Sequence, residues 1–422
     1  MIVYEADWVC PVDTQPIRNA WLAVEGKRIV SLGTGALPGN AQHIAYPGCA
    51  ILPGFVNAHA HLELTLFRGL LKDLPFAEWI AKLVRMKYQE CTPDMLRASA
   101  RLGAAEMLKA GITAVGEVMD VGTGWEAMLE FDLQGIAFQE VFGPAVSAAD
   151  EAMAGLRAKV EGQRKQQTDT QRVGISPHAP YTVSPKLFEA ARDYARRESL
   201  RMTTHIAESR EETLFVRDGA GAFAESHQRR AIEVMARGCS PVVHLDRLGL
   251  LGPDMLLVHA IEAGGQDLER IRASGSFVVH CPKSNAYLGH AVAPVAAMRR
   301  LGIPVALGTD SVASNDALDM FGEMRAVVEQ QKLGCEDVLR MATIEGARAL
   351  GMERDFGSLE AGKRADFVVL RMDVARDPME NVVLRAAPSD IVGTFVGGKQ
   401  TVVDIGGLLK EVDRFREQLR GR

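Results

Sequence analysis

The chain has 422 residues, a net charge of -6, 47% hydrophobic residues and 24% charged residues. That length exceeds one small core and suggests one large domain of roughly 250–300 residues plus a smaller unit. The mixed, mildly acidic charge gives no reason to expect nucleic acid or an anionic membrane as partner. Six cysteines without a CxxC pair make no disulfide framework and fit buried thiols in a reducing compartment. Glu5 and Asp7 stand where a secretory signal needs basic residues. The longest apolar stretch, 44–60, is broken by Pro47, Gly48, Pro53 and Gly54, so no membrane span is expected and the location is read as cytoplasmic.

Along the chain, residues 1–50 alternate and turn. WLAVEGKRIVSLG reads as two antiparallel strands joined around Glu25 and Gly26. The pattern then changes. Short apolar runs at 54–61, 112–118, 136–143, 173–180, 201–208, 256–260, 277–282 and 305–310 alternate with helical candidates. Those candidates are 93–110, 150–166, 185–199, 227–238, 316–333 and 336–350. Eight strands separated by helical crossovers point to a parallel (β/α)8 barrel rather than a doubly wound open sheet. ADFVVLRM and IVGTFVGGKQTVVDIG return to the β character of the N-terminus.

Six of the ten histidines fall at the ends of predicted strands. His59 and His61 close the first run, His178 the fourth, His205 the fifth, His259 the sixth and His280 the seventh. Asp310 closes the eighth. In a parallel barrel these ends share one mouth, where chemistry sits. Residues i and i+2 of a strand point to the same face, so His59 and His61 can aim at one atom near the barrel axis. Neutral imidazoles suit a borderline metal such as zinc at about 2.0–2.1 Å. Alone, the pair also reads as two core histidines; with His205 and Asp310 on other strands, a convergent metal site is the better reading.

Glu208 follows His205 by three residues. A carboxyl shielded there can act as general acid, the alternative being a solvated loop acid. Asp310 is read as a ligand that also takes the proton of the attacking water, the alternative being a helix N-cap. His259 would orient that water and stabilise an oxyanion, the alternative being a core histidine. His280 stays open between a structural role and one at the site. His178, bracketed by Pro177 and Pro180, is either a substrate contact or a loop-packing residue.

Together PGFVNAHAH, HIAE, VHA, HCPKSN and GTDSVASN resemble the amidohydrolase superfamily. Within it the chain is similar to the branch of nucleoside and base deaminases and triazine hydrolases. TIEGARALG and GSLEAGKRADFVVL extend the resemblance over nearly the whole chain. The resemblance implies a (β/α)8 TIM barrel over 53–355 and a small β-sandwich built from 1–52 and 356–422, the latter including a tail. It implies one divalent metal ion, usually Zn2+ with Fe2+ or Mn2+ as alternatives, on His59, His61, His205 and Asp310. Members with two metals usually bridge them with a carbamylated lysine on strand four or nearby. No lysine occurs between Lys109 and Lys159 or in the PHAP segment, so a mononuclear site is expected. On this pattern Glu208 protonates a ring nitrogen, Asp310 and His259 serve the attacking water, and ammonia leaves.

LELTLFRGLLKDLPFAEWI is similar to the helix after strand one in adenosine-type deaminases, which puts Trp79 either in the pocket or in helix packing. The HLE form at 61–63, with PHAPYTVS and HIAES, looks most like aminodeoxyfutalosine deaminases. The expected substrate is then 6-amino-6-deoxyfutalosine, with Glu63 as its recognition acid; the alternative for Glu63 is a structural hydrogen bond. S-Adenosylhomocysteine or methylthioadenosine deamination is the near alternative, and guanine deamination or chlorotriazine hydrolysis lies further off. A non-enzymatic scaffold relative is disfavoured because all four ligands are kept. The partner expected is a small molecule, with a homodimer carried from the resemblance alone.

Overall fold

The computed structural model describes residues 1–39 and 41–420. Four strands open the chain: β1 (Ile2–Val9), β2 (Ile17–Glu25), β3 (Arg28–Thr34) and β4 (Gln42–Pro53). β2 and β3 pair antiparallel across a turn at Gly26, whose φ of 57° suits a residue without Cβ. Only Gly54 separates β4 from the next strand. A Cβ on Gly54 would lie 2.1 Å from Thr113 Oγ1, so the chain enters the barrel through a contact that only glycine permits.

Eight parallel strands follow in sequential order: β5 (Phe55–Ala60), β6 (Ile112–Met119), β7 (Gln134–Val141), β8 (Gln171–Pro177), β9 (Met202–Ile206), β10 (Met255–His259), β11 (Phe277–His280) and β12 (Val305–Leu307). The ends meet. The amides of Thr309 and Asp310 donate to the carbonyl of His59 at 3.1 and 3.0 Å, and Ala60 bridges Asp310 in parallel. The seam between β12 and β5 therefore brings the first and last candidate site residues together. Every residue of β5, β6 and β7 is buried, as expected of strands covered on both faces.

The expected helices 93–110, 150–166 and 185–199 correspond to Pro93–Lys109, Ala149–Arg164 and Pro185–Glu198. The expectation at 227–238 does not hold: helices occupy Ala222–Arg229 and Pro241–Arg247 instead. Ala231 and Gly238 adopt φ of 53° and 63°, which ends helical continuity, and Ser240 caps a fresh helix through the Val243 amide. The 336–350 segment divides at Thr343, with φ of -137° and ψ of -97°, into Cys335–Met341 and Ile344–Ala349.

β13 (Phe367–Arg371), β14 (Ile391–Val396) and β15 (Lys399–Gln400) join the first four strands in one mixed sheet, ordered β15-β14-β13-β4-β1-β2-β3. Its core holds Tyr4, Leu22, Ile51, Phe367 and Phe395, with the last two rings stacked at 4.3 Å. The tail is helical over Ile405–Arg420. Leu408, Val412 and Leu419 bury its inner stripe, and Arg416 donates to the carbonyls of Thr65 and Leu66 at 2.9 Å each. The C-terminus thereby braces the turn that follows His61. Among the described residues no helix is long and apolar enough to cross a membrane.

Candidate active site

Four side chains from β5, its exit, β9 and the end of β12 converge. His61 Nε2 lies 3.3 Å from His205 Nε2 and 3.6 Å from Asp310 Oδ1, and His59 Nε2 lies 3.7 Å from Asp310 Oδ1. Ligand atoms 2.0–2.1 Å from a tetrahedral metal stand about 3.3–3.4 Å apart, so these separations match the edges of such a polyhedron. Hydrogen bonding prepares the donors. His205 Nδ1 donates to the His178 carbonyl at 3.1 Å, which leaves the Nε2 lone pair facing inward. Asp310 Oδ2 accepts from Ser284 Oγ at 2.6 Å and Ser314 Oγ at 3.0 Å, and Oδ1 accepts the Ser311 amide at 2.7 Å. Both ring nitrogens of His59 are buried without a hydrogen-bond partner. Burial and the neighbouring His59 push His61 well below the usual imidazole range, and the same causes bring His205 down to about 4. With the His205 Nε2 lone pair turned inward, His61 Nε2 3.3 Å from it and both His59 nitrogens without a partner, the residues fit a divalent metal.

Two further groups face that cluster. His259 Nδ1 donates to Asn285 Oδ1 at 2.9 Å, which orients the bare Nε2 into the site, 3.5 Å from Glu208 Oε1. Burial first, then the charge of Asp310, raises the Glu208 carboxyl well above its ordinary range. Asp310 moves the other way. Burial opposes ionisation, but the imidazoles of His59, His61 and His259 around it hold Asp310 well below the usual carboxylate range. Two carboxyls pushed apart in this way suit one donor and one acceptor of protons. The backbone here is tense: Ala207, His259, Ala260 and Asp310 adopt φ of 48°, 73°, 48° and 57°. Glu212 holds the Glu208 segment, its two oxygens accepting the amides of Ala207 and Glu208 at 2.9 Å each.

The cluster forms the floor of a cavity of about 350 Å³. Phe76, Trp79, Leu83, Phe142 and Leu288 make an apolar wall, and His178, Glu140, Lys87 and Tyr88 supply polar groups. Trp79 and His178 are thus cavity residues. Glu63 is not, which corrects the expectation that it recognises substrate. Its carboxylate accepts the amides of Asp120 and Val121 at 3.1 Å, Gly122 at 2.8 Å and Thr123 at 3.0 Å, and pairs with Lys87 Nζ at 3.2 Å. An acid with that many donors clamps the β6 exit loop and has nothing left for a ligand. His280 is fully buried at the end of β11, and burial takes its imidazole down to about 3. Glu140, Lys87, Tyr88, Asn285 and His290, whose Nε2 is 3.9 Å from Glu208 Oε1, escaped sequence reasoning. Only Asn285, within HCPKSN, carried a signal.

Residues 50–401 match the model of the Amidohydrolase family. The chain belongs to the amidohydrolase family. A 5-methylthioadenosine/S-adenosylhomocysteine deaminase of Syntrophobacter fumaroxidans is 33% identical over 88% of this chain and 85% of its own length. A 5'-deoxyadenosine deaminase of Methanothermobacter thermautotrophicus is 30% identical over 92% of this chain and 90% of its own. Among solved structures, a zinc-bound adenosine deaminase from Xanthomonas campestris superposes with a TM-score of 0.88, 27% identity and coverage of 100% and 99% of the two chains. Helicobacter pylori aminofutalosine deaminase, in complex with methylthio-coformycin, shares the fold at a TM-score of 0.85, with 22% identity over 95% of this chain and 100% of its own. This amidohydrolase is accordingly a hydrolase of carbon–nitrogen bonds with a site suited to a divalent metal.

Proposed function

We propose that the protein deaminates adenine nucleosides modified at the 5' position, releasing ammonia. The observation that carries this reading is the placing of Glu208 and His259, 3.5 Å apart, beside His59, His61, His205 and Asp310 on the floor of a largely apolar cavity, where burial raises the Glu208 carboxyl while Asp310 is held low. Relatives at 30–33% identity bear the names of methylthioadenosine, S-adenosylhomocysteine and 5'-deoxyadenosine deaminases, which supports a 5'-modified adenosine. The 6-amino-6-deoxyfutalosine first expected from the HLE segment belongs to the same comparison, with its support reduced now that Glu63 faces away from the cavity.

In this reading His59, His61, His205 and Asp310 hold one divalent ion, with zinc the proposed metal. When bound, such an ion acts as a Lewis acid and makes a nearby water easier to deprotonate. Asp310 Oδ1 takes a proton from the attacking water. His259 Nε2, held as a lone pair by the Nδ1 bond to Asn285, accepts a hydrogen bond from that water and orients it. Glu208 Oε1 delivers its proton to a ring nitrogen of the purine, which makes the adjacent amino-bearing carbon more electrophilic. After the water oxygen bonds that carbon, the proton held by Asp310 passes to the amino group, which leaves as ammonia, and the new hydroxyl returns a proton to Glu208. Trp79 and Phe76 cover the ring and exclude solvent.

The test is one parallel assay of ammonia and chloride release. Its substrates are methylthioadenosine, S-adenosylhomocysteine, 5'-deoxyadenosine, 6-amino-6-deoxyfutalosine, adenosine, guanine and a chlorotriazine. Ammonia from the adenine compounds is expected; failure on all of them rules the reading out, and chloride from the triazine alone replaces it.

A further inference from the structure

The polar side of the cavity contains an acid with no structural use. Glu140 ends β7, is 6% exposed and lines the cavity, yet its buried Oε1 has no hydrogen-bond partner. Lys87 does not neutralise it by contact, because that ammonium is committed to Glu63 at 3.2 Å and lies 3.9 Å from Asp120. Burial pushes the Glu140 carboxyl up to about 8 against the opposing charge of Lys87 while no donor is bonded to it, and donors brought by a ligand would favour its charged, accepting form. Native structures keep few such groups unless something fills them.

The nearest polar neighbour defines what that filler must be. His178 Nε2 stands 4.0 Å from Glu140 Oε1, too far for a hydrogen bond. Thr182 Oγ1 lies 3.2 Å from the Ala179 carbonyl and 2.7 Å from His178 Nδ1; in the tautomer that satisfies both contacts the hydroxyl donates to the carbonyl and the ring donates to the hydroxyl. In that tautomer Nε2 is a lone pair on the side of the Glu140 carboxyl. Two acceptors therefore face one gap, and a ligand there must bring donors. An oxygen about 2.8 Å from each bridges a 4.0 Å gap, and two adjacent hydroxyls satisfy both at once. Ligand atoms of Glu140, His178 and His205 lie within 4.8 Å of one another, so the gap is a few ångströms from the proposed metal ligands.

We propose that Glu140, with His178, forms an acceptor subsite for the vicinal hydroxyls of the substrate's sugar and selects ribosides over deoxyribosides. The proposal rests on the adenine-nucleoside reading above and adds the group that recognises the sugar. It assigns specificity to β7, an element that the sequence patterns left without a role.

The experiment measures kcat/KM for the metal-loaded enzyme and its Glu140→Gln variant on adenosine, 2'-deoxyadenosine and 3'-deoxyadenosine, read as ammonia. Hydrogen bonds to a charged acceptor are worth about 10- to 100-fold. The wild type should lose that factor when a contacting hydroxyl is removed. The variant should lose it on adenosine, while its discrimination between adenosine and the deoxy forms shrinks to about threefold or less. A variant that keeps the wild-type discrimination overturns the subsite. Should the variant fail to fold, the wild type decides alone: equal kcat/KM on all three substrates also overturns it. No ammonia from any nucleoside instead removes the deaminase reading, and the subsite with it.

Discussion

Glu63→Gln separates a structural acid from a recognition acid. In the native chain its two oxygens take four backbone amides at 2.8–3.1 Å and the Lys87 ammonium at 3.2 Å. The amide of glutamine offers one acceptor oxygen and turns an NH2 toward groups that are themselves donors. Lys87, almost wholly buried, would keep only Asp120 at 3.9 Å. Leaving one member of a buried ion pair costs about 3–5 kcal/mol. The lost charge-assisted bonds, at about 1.5–3 kcal/mol each, describe the same disruption and are not added to it. With a urea m-value of about 3 kcal/mol/M, the unfolding midpoint should fall by about 1 M or more. Urea unfolding followed by circular dichroism measures this, beside steady-state kinetics on the best nucleoside. An unchanged midpoint with a tenfold rise in KM would refute the structural assignment and return Glu63 to the substrate.

Glu208→Gln should lower kcat by about 10²- to 10⁴-fold while metal content, read by atomic emission, stays at the wild-type level. Because burial raises the Glu208 carboxyl, its protonated, competent form persists to higher pH than an ordinary carboxyl's, and wild-type kcat/KM should fall as pH rises through that raised value. A pH–rate profile of the variant should lack this alkaline limb. Arg416→Ala removes two bonds to the Thr65 and Leu66 carbonyls and should cost about 1–3 kcal/mol of stability in thermal unfolding. Gly135→Ala places a methyl 2.0 Å from the Val115 carbonyl oxygen at φ of 116° and should abolish soluble expression.

The barrel was legible because parallel strands buried on both faces leave unbroken apolar runs, which alternate with segments apolar at every third or fourth residue. His59, His61, His205, His259 and Asp310 were legible because each stands alone at the end of such a run. The 227–238 segment was not: the apolar residues Ile232, Val234 and Met235 mimic helix spacing, while the breaks at Ala231 and Gly238 are backbone facts. The Glu63 misreading has the same origin. Proximity to His61 in sequence suggested the cavity, but the turn Leu62–Phe67 rotates the carboxylate toward the β6 loop. Glu140 was hidden because an acid inside FQEVFG carries no spacing signal, and its significance lies in an oxygen without a partner.

On the proposed reading, His59, His61, His205 and Asp310 hold one metal on which ammonia release depends. Titrating Zn2+ into chelator-treated protein, with bound metal and ammonia from the best adenine nucleoside measured in the same samples, tests it most directly. Activity should rise in proportion to occupancy, saturate at about one ion per chain, and be absent in His61→Ala together with the bound metal. Full ammonia release by metal-free protein would contradict it.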